Sequence, residues 1–346
     1  MTMSNGLRTE GTGNIRKEGQ TYKIADIGVT AEYIGFPLSC QRIAPSFQPF
    51  VFRQPEGAVP DAAFVVRYSP FEEMPADNEV RHIEKFDSPD AFYYFYEDKE
   101  DDCLVIRAEE KYENRSNYNV RLFLNETPAR AEVDIFYMPE TKVALSDKAG
   151  RPAGNKNIND IVAQLRSAFM IAFSFITAGM GIMLIHSSTV IYDGRAYLFL
   201  GKSGTGKSTH SQSWLRCFAG CELLNDDNPV LRIDGKDVIV YGSPWSGKTP
   251  CYKQKKATAG AFVELQQAPY NKIEREDNIN AFVSLFTSIS TLIVYRPVYD
   301  LILSSILKIV DDCSTPVYRL QCLPDDAAAR LCRASVVEKD KPHEQS

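Results

Sequence analysis

The chain has no CxxC pair and no cysteine–histidine cluster at zinc spacing, although eight cysteines are scattered through its 346 residues. That removes the usual sequence signs of a structural zinc site and favours reduced thiols. Positive charge is also in short supply. A formal net charge of −6 argues against nucleic acid or an anionic membrane as partner. There is no internal repeat and no low-complexity block. No signal-peptide pattern opens the chain, so the sequons Asn114-Arg115-Ser116 and Asn125-Glu126-Thr127 are expected to be incidental and the protein cytoplasmic. Long apolar runs are limited to one. Ser167 to Ile185 carries no charge, and the expectation is a buried helix over about Asn159 to Met180 followed by a core strand, because strand-like sequence follows at once.

The remaining sequence divides into two parts. Residues 1–20 are polar and aperiodic and read as a disordered tail. Residues 21–149 read as a β-rich N-terminal domain, with strands such as Ala63 to Tyr68, Ala91 to Tyr96 and Glu132 to Tyr137 rich in β-branched and aromatic residues. The aromatic run at 92–96 reads as sheet core rather than a ligand platform. Lys148 to Asn157 is a polar linker containing Gly and Pro. The second domain spans 150–337, and 338–346 is a charged tail.

The most informative segment lies in the second part. Gly201-Lys202-Ser203-Gly204-Thr205-Gly206-Lys207-Ser208 follows strand-like Ala196 to Leu200 and precedes helix-compatible Thr209 to Cys217. Three glycines let the backbone curl so that successive N–H groups converge on phosphate oxygens. A helix starting near Lys207 turns its positive dipole end to the same anion. In such a phosphate-binding loop Lys207 reaches the β/γ-phosphates and the Ser208 hydroxyl holds Mg²⁺. The expected cofactors are ATP and Mg²⁺, with residues 201 through Thr209 contacting the nucleotide.

Two neighbouring features bear on the same site. Asp193-Gly194 between apolar runs signals a tight hairpin, and antiparallel pairing about that turn puts His186 opposite Gly201. A core histidine is the competing reading. Downstream, Leu223-Leu224-Asn225-Asp226-Asp227 ends an apolar run in paired carboxylates, nineteen positions after Lys207, enough for one short helix and a return strand. Phosphoryl transfer uses a carboxylate on the metal and often a second one as base. Adjacent strand residues point to opposite faces, so both serve only at a strand end, and Asn228-Pro229 supplies such a break. A second formal match, Gly242 to Thr249, is rejected as a triphosphate cradle because Pro244 removes a donor and no helix pattern follows. Trp245 and Lys248 are carried as candidate substrate contacts, with Lys253, Lys255 and Lys256 either offered to an anionic substrate or simply solvated.

Ile185-His186-Ser187-Ser188, Phe199 through Thr209 and Leu224-Asn225-Asp226-Asp227 together resemble the kinase domain of HPr kinase/phosphorylase. They are also similar to the nucleotide core of ATP-dependent phosphoenolpyruvate carboxykinase. The resemblance covers Ile182 to Val230, and more loosely the whole second domain. It implies an α/β fold of that P-loop type behind a β-rich domain, with Lys207 on the phosphates and Ser208 on the metal. Asp226 and Asp227 become base and metal ligand in an order left open, Asp227 being taken as the ligand, and His186 lies near the transferred group. No Arg-Gly-rich signature follows the aspartates, the N-terminal part does not resemble that of the kinases, and the substrate arginines of the carboxykinases cannot be located. The implied activity is therefore ATP- and Mg-dependent phosphoryl transfer to a hydroxyl of a protein, peptide or small molecule. The alternatives are a nucleotide-dependent binding module without transfer and a carboxykinase-type lyase. An oligomer is compatible with any of these.

Overall fold

The computed structural model describes residues 15–70, 81–88, 91–98, 100–111, 115–137, 155–247 and 249–337. The tail at 338–346, Asn114, most of the expected linker and the candidate Lys248 lie outside the described residues.

The first sheet contains β1 (Lys17–Ile24), β2 (Ile27–Ile34), β3 (Ala62–Pro70), β4 (Arg81–Asp87), β5 (Ala91–Asp98), β6 (Cys103–Glu110), β7 (Arg115–Phe123) and β8 (Ala129–Tyr137). Their spatial order is β1-β2-β3-β8-β7-β6-β5-β4. Burial alternates strictly along β2 and through most of β3, so one face is sealed and the other half open, as the period-2 geometry of a strand dictates. β1 begins inside the segment expected to be a disordered tail, of which residues 1–14 lie outside the described residues. Lys17 to Gln20 pair with β2 from Ile34 to Ala31, and backbone hydrogen bonds order this polar edge although it has little apolar surface to bury.

A short helix, α1 (Cys40–Ile43), lies between β2 and β3. The long apolar run forms α2 (Asn155–Thr177), starting inside the expected linker. Ile158–Met180 is long and apolar enough to cross a membrane by length and composition, and 67% of its most apolar stretch is buried inside the fold. Phe169 explains why. Its ring meets Tyr33, Phe47 and Phe64 at centroid distances of 6.2, 5.2 and 5.1 Å, while Phe173, one turn on, meets Trp245 at 5.3 Å. The helix is thus a layer between the first sheet and the C-terminal half of the chain, and one apolar core runs continuously across it.

The second sheet comprises β9 (Ile182–Leu184), β10 (Ser187–Tyr192), β11 (Arg195–Leu200), β12 (Glu222–Asp227), β13 (Val230–Asp234), β14 (Asp237–Tyr241), β15 (Lys256–Gln267), β16 (Lys272–Arg275) and β17 (Val317–Cys322). It is mixed: β11–β15 and β15–β17 are parallel, and β10 pairs antiparallel with both β11 and β12. α3 (Lys207–Cys217) and α6 (Asp326–Val336) cover one face, where Trp214, Phe199, Val263 and Cys332 form a second core. α4 (Asn278–Phe286) and α5 (Arg296–Asp312) complete the fold. The architecture is mixed α/β with two large sheets.

Candidate functional site

The β10–β11 hairpin turns at Asp193 and Gly194, both at positive φ (50° and 74°), the conformation a type I′ turn demands. Its register pairs Tyr192 with Arg195 and Ser188 with Phe199. The pairing ends there, the His186 N–H instead bonds the Ser288 carbonyl at 2.7 Å, and Lys207 joins His186 to Gly201. Lys207 Nζ lies 2.9 Å from His186 Nε2, and the same ammonium donates to the carbonyls of Gly201 (2.7 Å) and Lys202 (3.2 Å). An ammonium can only donate, so Nε2 accepts and the neutral ring carries its proton on Nδ1. That nitrogen lies 3.1 Å from Asp227 Oδ1. Lysine, histidine and aspartate therefore stand in line. Burial pulls the Lys207 ammonium below the ordinary lysine range, and the charges of Asp227 and Asp226 partly offset this.

Asp226 and Asp227 end β12, where the β10 register sets them opposite Ser188 and Ser187. Their side chains take different directions: Ser208 Oγ donates to Asp226 Oδ1 at 2.9 Å, whereas Asp227 faces His186. Asn225 stiffens this strand end. Its Oδ1 accepts from the Asp227 backbone N–H (3.0 Å), and its Nδ2 donates to Ser243 Oγ and the Trp245 carbonyl.

The turn between β11 and α3 has Gly201, Gly204 and Gly206 at φ of 131°, 83° and 102°. A Cβ on Gly201 would sit 2.9 Å from Thr205 Oγ1 and 3.1 Å from the Leu265 carbonyl, so only glycine fits. Gly206 occupies the N-cap of α3 and no side chain caps that helix. By contrast, Asp277 and Asp325 cap α4 and α6. The first-turn N–H groups of α3 thus keep no side-chain acceptor, the condition under which a helix N-terminus receives an anion. For a hard divalent cation the nearby oxygen ligands are those of Ser208, Asp226 and Asp227. Among the described residues no three His, Cys, Asp or Glu side chains gather as a metal cluster. Such a sparse set suits Mg²⁺, which takes one or two carboxylates and completes its shell with phosphate oxygens and water.

No protein-family model matches the chain, and no curated protein sequence does. Among solved structures it is similar to the HPr(Ser) kinase/phosphatase from Coxiella burnetii. The identity is 12%, over 47% of this chain and 99% of that one, with a TM-score of 0.27. A likeness at that score does not define a shared fold.

Two sequence candidates come out differently. Trp245 is 3% exposed, its indole N–H donates to the Arg166 carbonyl at 3.0 Å, and its ring packs between Phe47 and Phe173. It is a core residue with no face for a substrate. The basic stretch is also internally engaged: Lys253 and Lys255 pair with Glu222, and Lys256 with Asp26. The segment from Gly242 is no second cradle. Asn228 N bonds the Trp245 carbonyl, Gly247 N bonds the Asp226 carbonyl, and Asp227 bridges to Ser246, so the segment runs as an edge along the aspartates. A Cβ on Gly247 would lie 2.9 Å from the Asp226 carbonyl.

Sequence reasoning missed His210. Its Nε2 accepts from Trp214 Nε1 at 3.1 Å, and burial lowers its pKa to about 4. The i,i+4 spacing of the pair on a helix was the available signal.

Proposed function

We propose that the protein is an ATP- and Mg-dependent kinase that transfers a phosphoryl group to a hydroxyl acceptor, a serine of a protein or peptide or a small molecule. The observation that carries this is the line Lys207–His186–Asp227 beside the uncapped start of α3, with Ser208 paired to Asp226. The nucleotide-contacting residues are Gly201, Lys202, Ser203, Gly204, Thr205, Gly206, Lys207, Ser208 and Thr209. Ser208 and Asp227 would hold Mg²⁺, whose charge offsets that developing on the transferred group.

In this reading each residue has separable work. Backbone N–H groups of the loop and of the first turn of α3 take the phosphates. The three N–H bonds of Lys207 already have three acceptors, so reaching a phosphate means exchanging one, and the longest, to Lys202, is the natural one to yield. One of Asp226 and Asp227 draws the proton from the acceptor hydroxyl. His186, held between ammonium and carboxylate, orients Asp227 and passes or retains the Nδ1 proton. The soluble cytoplasmic setting and the division of the chain near residue 150 into a β-rich unit and a nucleotide unit belong to the same proposal.

The test is incubation of cell lysate with purified protein and Mg-ATP, followed by mass spectrometry for new phosphate on hydroxyl side chains or metabolites. The reading requires such a product with wild type and its loss in Lys207→Ala. A partner captured only in the presence of ATP, with no phosphorylated product, would favour a binding module instead.

A further inference from the structure

Next to the glycine-rich turn lies a cavity of about 570 Å³. It shares Gly204 to Gly206 with the turn and then runs along α3, where His210 lines it. Its far wall is apolar, made by Ala268 and Pro269 after β15 and by Leu323 and Pro324 after β17. Neither His210 nor this apolar wall has work in the transfer chemistry.

His210 is only 5% exposed, yet just half of its hydrogen-bonding capacity is used. The indole N–H of Trp214 can only donate, so His210 Nε2 is the acceptor in that 3.1 Å bond. The proton of the neutral ring is then on Nδ1. Nδ1 has no partner among the described residues, and it is not among the fully buried polar atoms left unpaired. It therefore meets the open space that His210 lines. Burial keeps the ring neutral at physiological pH, since its pKa is lowered to about 4, which makes Nδ1–H a fixed donor. Phe199, 4.6 Å from the imidazole centroid and edge-on at 77°, holds the ring orientation.

A mostly apolar cavity that holds the oriented His210 donor, with Ser213, Gln267 and Asp325 as further polar lining, and that is continuous with the glycine-rich turn, matches a heteroaromatic base joined to phosphates. We propose that this cavity receives the base of the nucleotide, with His210 Nδ1–H donating to a ring nitrogen. The proposal rests on the reading of the turn as a triphosphate site. It assigns the base to the α3 side of the turn, and it makes His210 a group that distinguishes bases by where they carry an acceptor. A buried donor left without an acceptor is penalised, so discrimination follows from the same bond.

The experiment is calorimetric titration of the full chain with Mg²⁺ complexes of ATP, of inorganic tripolyphosphate, and of the 1-, 3- and 7-deaza analogues of ATP. ATP is expected to bind at least about tenfold more tightly than tripolyphosphate, because only ATP fills the slot. One deaza analogue is expected to lose about threefold to tenfold relative to ATP, the scale of one hydrogen bond. His210→Phe should then bind ATP and that analogue alike. Equal affinity for ATP and tripolyphosphate would overturn the base site while leaving the phosphate reading standing. Equal affinity for ATP and all three deaza analogues would overturn the His210 contact, a comparison made on wild type and independent of whether the variant folds. Binding of neither ATP nor tripolyphosphate would remove the phosphate reading and this proposal with it.

Discussion

Replacing His186 with alanine separates a site histidine from a core one. The side chain is 37% exposed and its partner Asp227 32%, so water can replace what the imidazole supplied to Lys207 and Asp227. A net hydrogen bond contributes about 0.5–1.5 kcal/mol, and a partly exposed ion pair lies at or below about 1 kcal/mol. Little cavity remains at such a position, so the total loss should stay near ~1–2 kcal/mol, or an unfolding-temperature drop of a few degrees for a chain of this size. Transfer, by contrast, should fall by about tenfold or more, the usual scale for an orienting or acid–base group. Differential scanning calorimetry and turnover on the same His186→Ala preparation supply both numbers. A variant that loses about 3–5 kcal/mol, as for truncation of a large buried side chain, but keeps full turnover would refute the placement of His186 in the chemistry.

Three further outcomes rest on named contacts. Asp226→Asn and Asp227→Asn should each lower turnover, with ATP affinity little changed at whichever is the base, since a base acts only during transfer; full activity in both, measured by steady-state kinetics, would exclude these carboxylates. Trp245→Ala should cost roughly 3–5 kcal/mol in urea unfolding, because the ring fills the seam between α2 and Phe47, and a stable variant with only a raised KM would return it to the substrate site. Stability should fall as pH drops from about 6.5 towards 4, since the unfolded chain protonates His210 while the folded chain, with its pKa at about 4, does not. At pH 5 this contribution is about 2 kcal/mol, so denaturant unfolding at pH 7.5 and 5.0 should show a smaller pH loss in His210→Gln.

Much of the site could be read from the chain because its parts are local. The Asp193-Gly194 turn sets the hairpin register by itself, and the open end of that hairpin leaves His186 and Gly201 near enough to share Lys207. The interval from Lys207 to Asp226 accommodates α3 and β12 as the spacing requires. What stayed hidden depends on packing between distant segments. Nothing around Trp245 indicates that its indole would find the Arg166 carbonyl, 79 positions away. Nor does the polar sequence of Lys17 to Gln20 reveal a strand whose order comes from pairing with β2. The expected division into two domains likewise gave no hint that α2 would bury Phe169 against the first sheet and Phe173 against Trp245. His210 was legible only as a helical neighbour of Trp214; the cavity beside it is built by β15 and β17, far along the chain.

The most direct test of the central claim is single-turnover transfer from γ-labelled Mg-ATP, with enzyme in excess, in the presence of a lysate fraction that contains the acceptor. Phosphate esters of hydroxyls survive acid, whereas phosphate on a histidine nitrogen does not. The account predicts acid-stable label on an acceptor with wild type and none with Lys207→Ala, which loses the cation that meets the phosphates in ground state and transition state alike. Label that is acid-labile and confined to the protein itself, or equal transfer by wild type and Lys207→Ala, would contradict it.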